Sequence, residues 1–315
     1  MAESPYNTIF FGTPEFAIPI IHALIGIPTL NTVAVVTQPD KPVGRHHSFQ
    51  SPPVKQLAEK LAIPVLQPEK ISTPEFVMTI AGLHPAVVVV AAYGKIIPES
   101  LLAIPRHGWI NIHASLLPKL RGASPIQHAI LQGFSETGVT LMKMDATLDT
   151  GYIIAQEKVI LAPRETFVTL HNKLARLGSK LLKAALVPYL NGKLTAYPQN
   201  DKIATYCSAI KKQDGLINWK SPAEQIDRHV RAMTPWPGAF TIGDGQTIKI
   251  LGTEVLDETH REPSGTLHYF NGKLVASTLS GLLHITSLQV EGRKPMSEKE
   301  FLNGFKSKLP LRMTS

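Results

Sequence analysis

The sequence has few of the features that mark secreted, membrane-spanning or disulfide-bonded proteins. Its 315 residues include one cysteine, Cys207, so the chain cannot form an internal disulfide, which fits a reducing compartment. Residues 1–12 contain no basic segment followed by an apolar one, so we expect no signal peptide. The longest strongly apolar run, at 86–92, is far shorter than the roughly 20 residues that a membrane helix needs. We therefore expect a cytoplasmic protein that does not contact a membrane.

Motifs of three enzyme classes are also missing. The 12 histidines form no H-E-x-x-H motif and there is no pair of cysteines, so we expect no metal. No G-x-S-x-G is present to supply a serine nucleophile. The predicted first strand ends in GTPEFA, with one glycine where G-x-G-x-x-G has three, and this disfavours a dinucleotide-dependent oxidoreductase.

The charge balance favours a polyanionic partner. The formal net charge is +8. Basic residues outnumber acidic ones by five up to residue 205 and by three after it, so a site for a polyanion could span both parts of the chain.

Up to about residue 135, strand patterns alternate with helix patterns. Strands are predicted at 7–12, 31–38, 64–67, 86–94 and 108–113, and helices at 16–25, 51–62, 73–83 and 124–131. Two further strands at 137–144 and 151–161 end the sheet in antiparallel fashion, and a long helix fills 165–187. This order predicts an α/β fold with a mostly parallel, Rossmann-like sheet and helices on both of its faces.

The pattern changes after a polar, turn-rich stretch near residue 200. AFTI-GDGQ-TIKIL and TLHY-FNGK-LVAST are typical of hairpins, and Asn271-Gly272 suits a type I′ turn. LLHITSLQVEG adds another strand, and together these segments predict a small OB-like β-barrel of the kind that binds nucleic acid. The predicted domains are an α/β domain at 1–187, a linker at 188–206 and the barrel at 207–315.

One predicted strand ends in an unusual group of residues, in GWINIHASLLPKLRGAS at 108–124. Residues two apart on a strand face the same side, so Asn111 and His113 project together at its carboxyl end, where open α/β sheets place ligands. Either residue alone has an ordinary explanation, as a side chain held by the backbone or as a turn cap. Leu116 and Leu117 follow, and two leucines are unusual in a loop unless they line an apolar pocket.

A carboxylate that could orient this imidazole lies in MDATLDTG at 144–151, which contains Asp145 and Asp149. An amide, an imidazolium and a carboxylate suit acyl transfer through a tetrahedral intermediate. The amide and imidazolium would donate to the developing oxyanion, and the histidine–aspartate pair would help to take the proton of an attacking amine. Cys207 lies far from these motifs in sequence, so direct transfer between two bound substrates is favoured over a covalent acyl-enzyme.

The stretch His113-Ala114-Ser115-Leu116-Leu117-Pro118, with Gly122 four residues later, resembles the H-x-S-L-L-P-x-x-x-G signature of the 10-formyltetrahydrofolate-dependent formyltransferases. Asn111 precedes the histidine by two residues and LDTG lies downstream, as the family pattern requires. The similarity extends over most of the chain, through FFGTPEFA, VVTQPDKPVGR, VVVAAYGKIIP, RGASPIQHAIL and PWPGAF. It points to the branch of the family that formylates methionyl initiator tRNA.

The resemblance implies roles for individual residues. The catalytic residues would be Asn111, His113 and Asp149 in a formyltransferase catalytic domain. The co-substrate 10-formyltetrahydrofolate would be contacted by Ser115, Leu116, Leu117 and Pro118, with Ala92, Tyr93 and Gly94 near its pterin. The formyl group would pass to the α-amine of methionine on initiator tRNA, for translation initiation. The tRNA would be contacted by Arg45 and by the barrel residues Lys211, Lys212, Arg293 and Lys294. A monomer is expected.

The sequence departs from this branch of the family in the loop that contains Arg45. It reads GRHHSFQSP, whereas a lysine-rich GRGKK-type run is common there, so His46 and His47 replace stronger charges. We therefore expect Arg45 to contribute to tRNA affinity and the rest of the loop to contribute less.

Two other functions remain open at this point. Formylation of glycinamide ribonucleotide or of an amino sugar would use the same amide, imidazole and carboxylate, but would not need a basic barrel. A non-catalytic RNA-binding protein would use the barrel alone and would leave these three side chains without a role.

Overall fold

The computed structural model describes residues 6–43, 48–258 and 262–314. These residues form two compact units. The first consists of the chain up to Pro125, with Glu136–Ile160 and His171–Ser208. The second consists of Ile126–Ser135, Leu161–Leu170 and the chain from Ala209 onwards. The predicted domain limits at 187/188 and 206/207 stay predictions.

The chain up to residue 208 contains short strands separated by helices. The strands are β1 (Tyr6–Gly12), β2 (Leu30–Val36), β3 (Lys41–Val43), β4 (Ser48–Gln50), β5 (Val65–Leu66), β6 (Val87–Ala91), β7 (Trp109–His113), β8 (Arg121–Gly122), β9 (Glu136–Lys143), β10 (Ile153–Ile160) and β11 (Tyr206–Cys207). The helices are α1 (Ile18–Ile25), α2 (Pro53–Lys60), α3 (Pro74–Gly82), α4 (Glu99–Leu102), α5 (Pro125–Leu131) and α6 (Phe167–Leu190).

The main sheet of the first unit has the strand order β10-β9-β7-β6-β1-β2-β5. The strands from β7 to β5 in this order pair in parallel, whereas β9 and β10 are antiparallel. β6 reads VVVVA and is buried along its whole length, because a central strand covered on both faces needs apolar side chains throughout. The predicted mostly parallel α/β sheet with an antiparallel end is confirmed.

Helices pack on both faces of this sheet. Ile80 of α3 and Trp109 of β7 belong to one core cluster on the first face. On the second face, Gly178 of α6 lies so close to β7 that an added Cβ would come within 2.9 Å of Ile112. Within the described residues, no helix has the length and apolar character required to span a membrane.

The second unit contains a closed barrel. Its strands are β12 (Ala239–Gly243), β13 (Gln246–Leu256), β14 (Thr266–Phe270), β15 (Lys273–Ser277), β16 (Leu282–Val290), β17 (Met296–Ser297) and β18 (Leu311–Thr314), and its helices are α7 (Ala223–Met233) and α8 (Glu298–Phe305). The order β13-β12-β18-β14-β15-β16 closes because β16 also pairs with β13. Ile226 and Val230 of α7 pack into the barrel core. The predicted small barrel is confirmed as six antiparallel strands.

Candidate active site

The candidate site lies where the parallel strands of the first unit end. β1, β6 and β7 stop at Gly12, Ala91 and His113, at the sheet edge where α/β folds place ligands. Asn111 and His113 share one face of β7, because successive side chains alternate along a strand. β7 pairs with β6 on one side and with β9 on the other, so both side chains project from a strand that is fixed on two sides.

The ring of His113 is buried and has a partner at each nitrogen. Nε2 lies 3.0 Å from the Leu120 carbonyl oxygen, and Nδ1 lies 3.6 Å from Oδ1 of Asp149. A carbonyl oxygen can only accept, so Nε2 carries a hydrogen in this contact and Nδ1 is the nitrogen that can gain or lose a proton. A separation of 3.6 Å is too long for a hydrogen bond, but it suits a charge pair once the ring is protonated.

Asp149 reaches His113 from the loop between β9 and β10. Its second oxygen, Oδ2, accepts a hydrogen bond of 2.8 Å from the backbone N–H of Gly122. Gly122 has a φ of 121°, and a Cβ there would lie 2.1 Å from the Cys207 carbonyl oxygen, so only glycine fits this position. The strand pairing around Gly122 therefore places a backbone donor against the carboxylate.

Asp145, the other carboxylate of this loop, has a local role. It is exposed and accepts hydrogen bonds from the Thr147 N–H at 3.0 Å and from the hydroxyl groups of Thr147 and Thr150 at 3.0 and 2.9 Å. These bonds cap the turn that follows β9. Of the two aspartates in MDATLDTG, the structure brings Asp149 and not Asp145 to His113.

Asn111 presents a carboxamide that a ligand can use. The residue is half-buried, and within the described part of the chain its side chain has no hydrogen-bond partner. An amide that carries two N–H donors and an acceptor beside a buried imidazole can bind a carbonyl oxygen of a substrate.

The loop after β7 is fixed by polar side chains beneath it. The backbone N–H of Leu117 donates to Oγ1 of Thr140 at 3.0 Å, and Gln156 donates to the Leu117 carbonyl at 2.9 Å. The Leu117 side chain is buried in a cluster with Met142 and Ile153, so this leucine packs in the core. Core packing therefore explains why a leucine occupies this position of the loop.

The remaining predicted folate residues of this loop differ in exposure. Ser115 and Pro118 are buried, and the Ser115 hydroxyl donates to the Lys119 carbonyl at 2.5 Å. Leu116 is half-buried. Contact of these residues with folate stays a prediction.

The loop after β6 offers backbone groups at the same sheet edge. Ala92 and Gly94 are exposed and have φ values of 49° and 82°. Tyr93 between them points into the core, where its ring packs edge-on against Phe11, and burial raises the pKa of Tyr93 to about 12. Gln38 donates to the Tyr93 carbonyl at 2.8 Å, which fixes the loop. A ligand at this edge meets the backbone of Ala92 and Gly94, since the tyrosine ring is buried.

Cys207 lies beside the site, although its distance in sequence suggested otherwise. β11 pairs with β8, which brings Sγ of Cys207 to 3.4 Å from the Leu120 carbonyl oxygen. Burial raises the pKa of the Cys207 thiol to about 11, so the sulfur is protonated at neutral pH and is a poor nucleophile. The sequence contains no signal for this approach, because each paired strand is two residues long.

Gln199 and Arg121 also contact the loop that carries Asp149, and sequence reasoning missed both. Nε2 of Gln199 donates to the carbonyl oxygens of Asp149 and Gly151, at 2.8 Å each. The buried guanidinium of Arg121 donates to Oε1 of Gln199. Arg121 does stand in the quoted RGAS segment, but nothing in its spacing indicates a partner near residue 199.

The predicted tRNA contacts in the second unit are all exposed. Lys211 and Lys212 lie near its start, and Lys294 follows Arg293, whose Cζ lies 4.8 Å from the centre of the Phe305 ring. Arg45, with His46 and His47, lies outside the described residues. Across the described ranges, no group of three or more histidine, cysteine or acidic side chains is arranged to hold a metal ion.

Solved structures share the fold of the whole chain at low sequence identity. WlaRD, a sugar 3N-formyl transferase with dTDP and 5-N-formyl-THF, has a TM-score of 0.64 and 19% identity, and the match covers 93% of this chain and all of that one. HypX from Aquifex aeolicus in complex with tetrahydrofolic acid has a TM-score of 0.62 and 16% identity, covering 96% of this chain and 48% of that one.

Sequence comparison extends the match to the family level. The formyl transferase model matches residues 6–186, and the formyl transferase C-terminal domain model matches residues 209–306. Methionyl-tRNA formyltransferase of Geobacter metallireducens is 45% identical over 298 residues, which is 95% of each chain. That of Caldanaerobacter subterraneus subsp. tengcongensis is 43% identical over 297 residues, 94% of this chain and 96% of that one. The resemblance drawn from the His113 signature is therefore confirmed, and the chain is an enzyme of the formyl transferase family.

Proposed function

We propose that this enzyme transfers the formyl group of 10-formyltetrahydrofolate to the α-amine of methionine on initiator tRNA, by direct attack through a tetrahedral intermediate. The observation that carries the proposal is the 3.6 Å approach of His113 Nδ1 to Asp149 at the carboxyl end of β7, on the face that also bears Asn111. The choice of acceptor rests on relatives that are named methionyl-tRNA formyltransferases. The choice of donor rests on the family and on the folate bound to HypX.

The site edge offers what a formylated folate requires. The exposed backbone of Ala92 and Gly94 can meet the polar edge of a pterin, and half-buried Leu116 offers apolar surface on the loop after β7. Asn111 lies between these two loops in chain order, and its carboxamide, which has no hydrogen-bond partner among the described residues, can bind the formyl oxygen. We assign these three contacts to the donor.

Asn111 and His113 divide the chemistry of the transfer. As the amine nitrogen bonds to the formyl carbon, the carbonyl oxygen becomes an oxyanion, to which the Asn111 N–H donates. Such a donor contributes ~3–4 kcal/mol, or roughly 10²–10³ in rate. Nδ1 of His113 takes the proton of the amine, and Asp149 stabilises the imidazolium. When the bond from the formyl carbon to the folate nitrogen breaks, the imidazolium returns the proton to that nitrogen.

The sequence predicts that both Asn111 and His113 donate to the oxyanion, whereas the contacts of His113 favour Asn111 as the direct donor. Nε2 is already engaged with the Leu120 carbonyl, so the reactive edge of the ring is Nδ1. We therefore assign the direct hydrogen bond to Asn111 and the proton transfer to His113. Its positive charge, two residues along the same strand face, still favours the oxyanion.

A single displacement fits the chemistry of the Cys207 thiol beside the site. Cys207 is buried with a pKa of about 11, so the thiolate needed to form a thioester is scarce at neutral pH. The amine of the acceptor is then the only nucleophile that the reaction needs.

The second unit supplies a surface that suits an RNA backbone. Besides Arg293 over Phe305, Nζ of Lys306 lies 4.5 Å from the centre of the Tyr269 ring and Nζ of Lys308 lies 5.8 Å from that of Phe305. Cations held beside aromatic rings can contact phosphates, and the exposed Tyr269 ring can also meet a base or a ribose. We propose this surface, together with Lys211, Lys212, Lys294 and Arg45, for tRNA contact.

The salt dependence of tRNA binding tests this surface. Arg293→Ala should weaken tRNA binding and reduce the slope of log Kd against log salt by about one, because one phosphate contact is lost. A substitution that leaves both the affinity and the slope unchanged would remove Arg293 from the interface.

An acceptor panel tests the proposed reaction. A second unit does not by itself decide the acceptor, since the sugar formyl transferase WlaRD covers 93% of this chain. Enzyme and 10-formyltetrahydrofolate are therefore incubated with methionyl initiator tRNA, deacylated tRNA, glycinamide ribonucleotide or a dTDP-amino sugar. We expect formyl transfer to methionyl initiator tRNA. Transfer only to the ribonucleotide or to the sugar, or tight tRNA binding without transfer, would refute the proposal.

A further inference from the structure

We infer that Gln199 and Arg121 form a clamp that holds Asp149 in place for proton transfer, so that Gln199 is a positioning residue of the reaction. The inference rests on the proposed function, because it assumes that Asp149 acts through His113. The hydrogen bonds described for these two side chains involve none of the residues assigned to the folate.

Asp149 needs such support because of its backbone. Its φ of 54° lies in the left-handed region, which residues other than glycine adopt less readily. The loop before it, 146–148, is exposed, and the hydrogen bonds that Asp145 accepts from Thr147 and Thr150 do not involve Asp149 itself. The carboxylate nevertheless has to stay close to Nδ1 of His113, so the conformation has to be imposed by other contacts.

Gln199 imposes it from outside the loop. Its single NH₂ group bridges two carbonyl oxygens, those of Asp149 and Gly151, at 2.8 Å each, and so links the two residues that flank Thr150. Gly151 is itself constrained, since a Cβ there would lie 1.9 Å from the Lys143 carbonyl oxygen. The amide of Gln199 therefore binds the part of the loop that sets the direction of the Asp149 side chain.

Arg121 fixes the orientation of the Gln199 amide. Oε1 of Gln199 accepts from Nε of Arg121 at 3.0 Å and from its Nη2 at 2.8 Å. A guanidinium can only donate and a carbonyl can only accept, so the amide cannot turn over without losing every one of these bonds.

Arg121 is itself held as a charged, buried group. The residue is 2% exposed, and its Nη2 donates to Asp201 at 2.6 Å. Burial alone would lower the pKa of Arg121, but the hydrogen bonds and charges of Asp201 and Tyr206 outweigh it and raise the pKa. A guanidinium keeps its proton in proteins, so Arg121 acts here as a charged donor.

The two residues of β8 support different parts of Asp149, its backbone carbonyl and its side-chain carboxylate. The Arg121 side chain acts through Gln199 on the Asp149 carbonyl, while the Gly122 N–H binds the Asp149 carboxylate. β8 pairs with β11, so the segment 199–207 closes a ring of hydrogen bonds around Asp149. Loosening this ring displaces the carboxylate from His113 without touching either substrate.

Gln199→Glu is the variant that tests the clamp. It keeps the size of the side chain and the acceptor for Arg121, but replaces the two donated hydrogen bonds with an oxygen that faces two carbonyl oxygens. We expect kcat to fall roughly 10- to 100-fold, as for a small misplacement of a catalytic group, while KM for both substrates stays within about threefold. The matched control is Gln56→Glu, since exposed Gln56 donates to the Ser51 carbonyl at 2.8 Å away from the clamp, and its kcat should equal that of the wild type.

A double-mutant cycle separates positioning from a general structural role. In an Asp149→Ala background, Gln199→Glu should change single-turnover kcat by less than about twofold, because the residue that it positions is gone. An equal loss in both backgrounds, or a wild-type kcat in Gln199→Glu alone, would overturn the inference. Absence of formyl transfer in the wild-type enzyme would instead refute the proposed function, so the two failures can be told apart.

Discussion

Replacing Asp149 by asparagine removes the charge that faces His113 and keeps the size of the side chain. The amide oxygen can still accept the Gly122 N–H that Oδ2 of Asp149 accepts at 2.8 Å. The NH₂ group then takes the place of Oδ1, and a small shift of the side chain lets it donate to Nδ1 of His113. Asp149→Asn therefore favours a neutral imidazole whose lone pair is occupied, and this ring cannot take the proton of an attacking amine.

The size of the effect follows from the distance between the two side chains. At 3.6 Å, unit charges attract by about 5 kcal/mol if the effective dielectric constant is ~20. Because ~1.4 kcal/mol corresponds to a tenfold change in rate, losing this attraction lowers kcat by roughly 10³-fold. This lies within the ~10²–10⁴ that general acid–base catalysis contributes elsewhere. Affinity for tRNA should change little, because Asp149 is assigned to proton transfer.

Single-turnover formyl transfer to methionyl initiator tRNA measures the loss, and a separate titration measures tRNA binding. Asp145→Asn is the matched control, since it makes the same chemical change in the same loop on a carboxylate that contacts Thr147 and Thr150. We expect its kcat to fall far less than that of Asp149→Asn. If Asp149→Asn turned over at a rate close to the wild type, the His113–Asp149 pair would not carry the proton and the reasoning would be wrong.

Other substitutions test the chemistry and the packing of the two units. Cys207→Ser should retain kcat of formyl transfer within about threefold, because a buried, protonated thiol takes no part in the transfer. A larger loss of kcat would contradict this. Gly122→Ala should lower both kcat and the midpoint of thermal unfolding, because its Cβ would lie 2.1 Å from the Cys207 carbonyl oxygen. We expect the free energy of unfolding to fall by at least ~2 kcal/mol. An unchanged midpoint would refute the packing argument. Asp227→Ala should lower the free energy of unfolding in urea by ~3–5 kcal/mol, because buried Asp227 accepts from Arg164 and Arg231 at 2.8 Å each, and a wild-type urea midpoint would contradict it.

The central part of the candidate site was predictable from local sequence patterns. The alternation of side chains along a strand places Asn111 and His113 on one face, and a short loop between two apolar strands restricts where Asp149 can lie. Both features depend on residues close together in the chain. The pattern could not choose between Asp145 and Asp149, because the choice depends on which carboxylate meets the Gly122 N–H from another part of the fold.

The support around Asp149 was not predictable in the same way. Gln199 belongs to a polar stretch that indicates a linker and Cys207 directly follows the predicted linker, and β8 and β11 are two residues long, too short to show any periodicity. Their positions depend on pairing between segments about 85 residues apart, for which the sequence contains no local signal. The explanation for Leu117 is of the same kind, since its burial depends on Met142 of β9 and Ile153 of β10.

In the barrel too, elements set by neighbouring residues were predicted from the sequence, whereas a strand set by distant pairing was not. Its hairpins, β12–β13 and β14–β15, have turn residues that identify them in the sequence. β18 pairs with β12 and β14 to complete the closed order, but its segment LRMT, which alternates apolar and polar residues, is only four residues long and was not predicted as a strand. Helix α8 begins with a capping box at Ser297 and Glu300 that was present in the sequence and was not used.

The central claim is that the formyl group reacts between Asn111 and the His113–Asp149 pair. A crystal structure with a non-reactive 10-formyl folate analogue and the acceptor end of methionyl initiator tRNA measures this directly. We predict that the formyl oxygen lies within about 3.2 Å of the Asn111 amide nitrogen, with the methionine amine near Nδ1 of His113. A formyl group bound beyond hydrogen-bond reach of Asn111, with the amine on the far side from His113, would contradict the proposed chemistry.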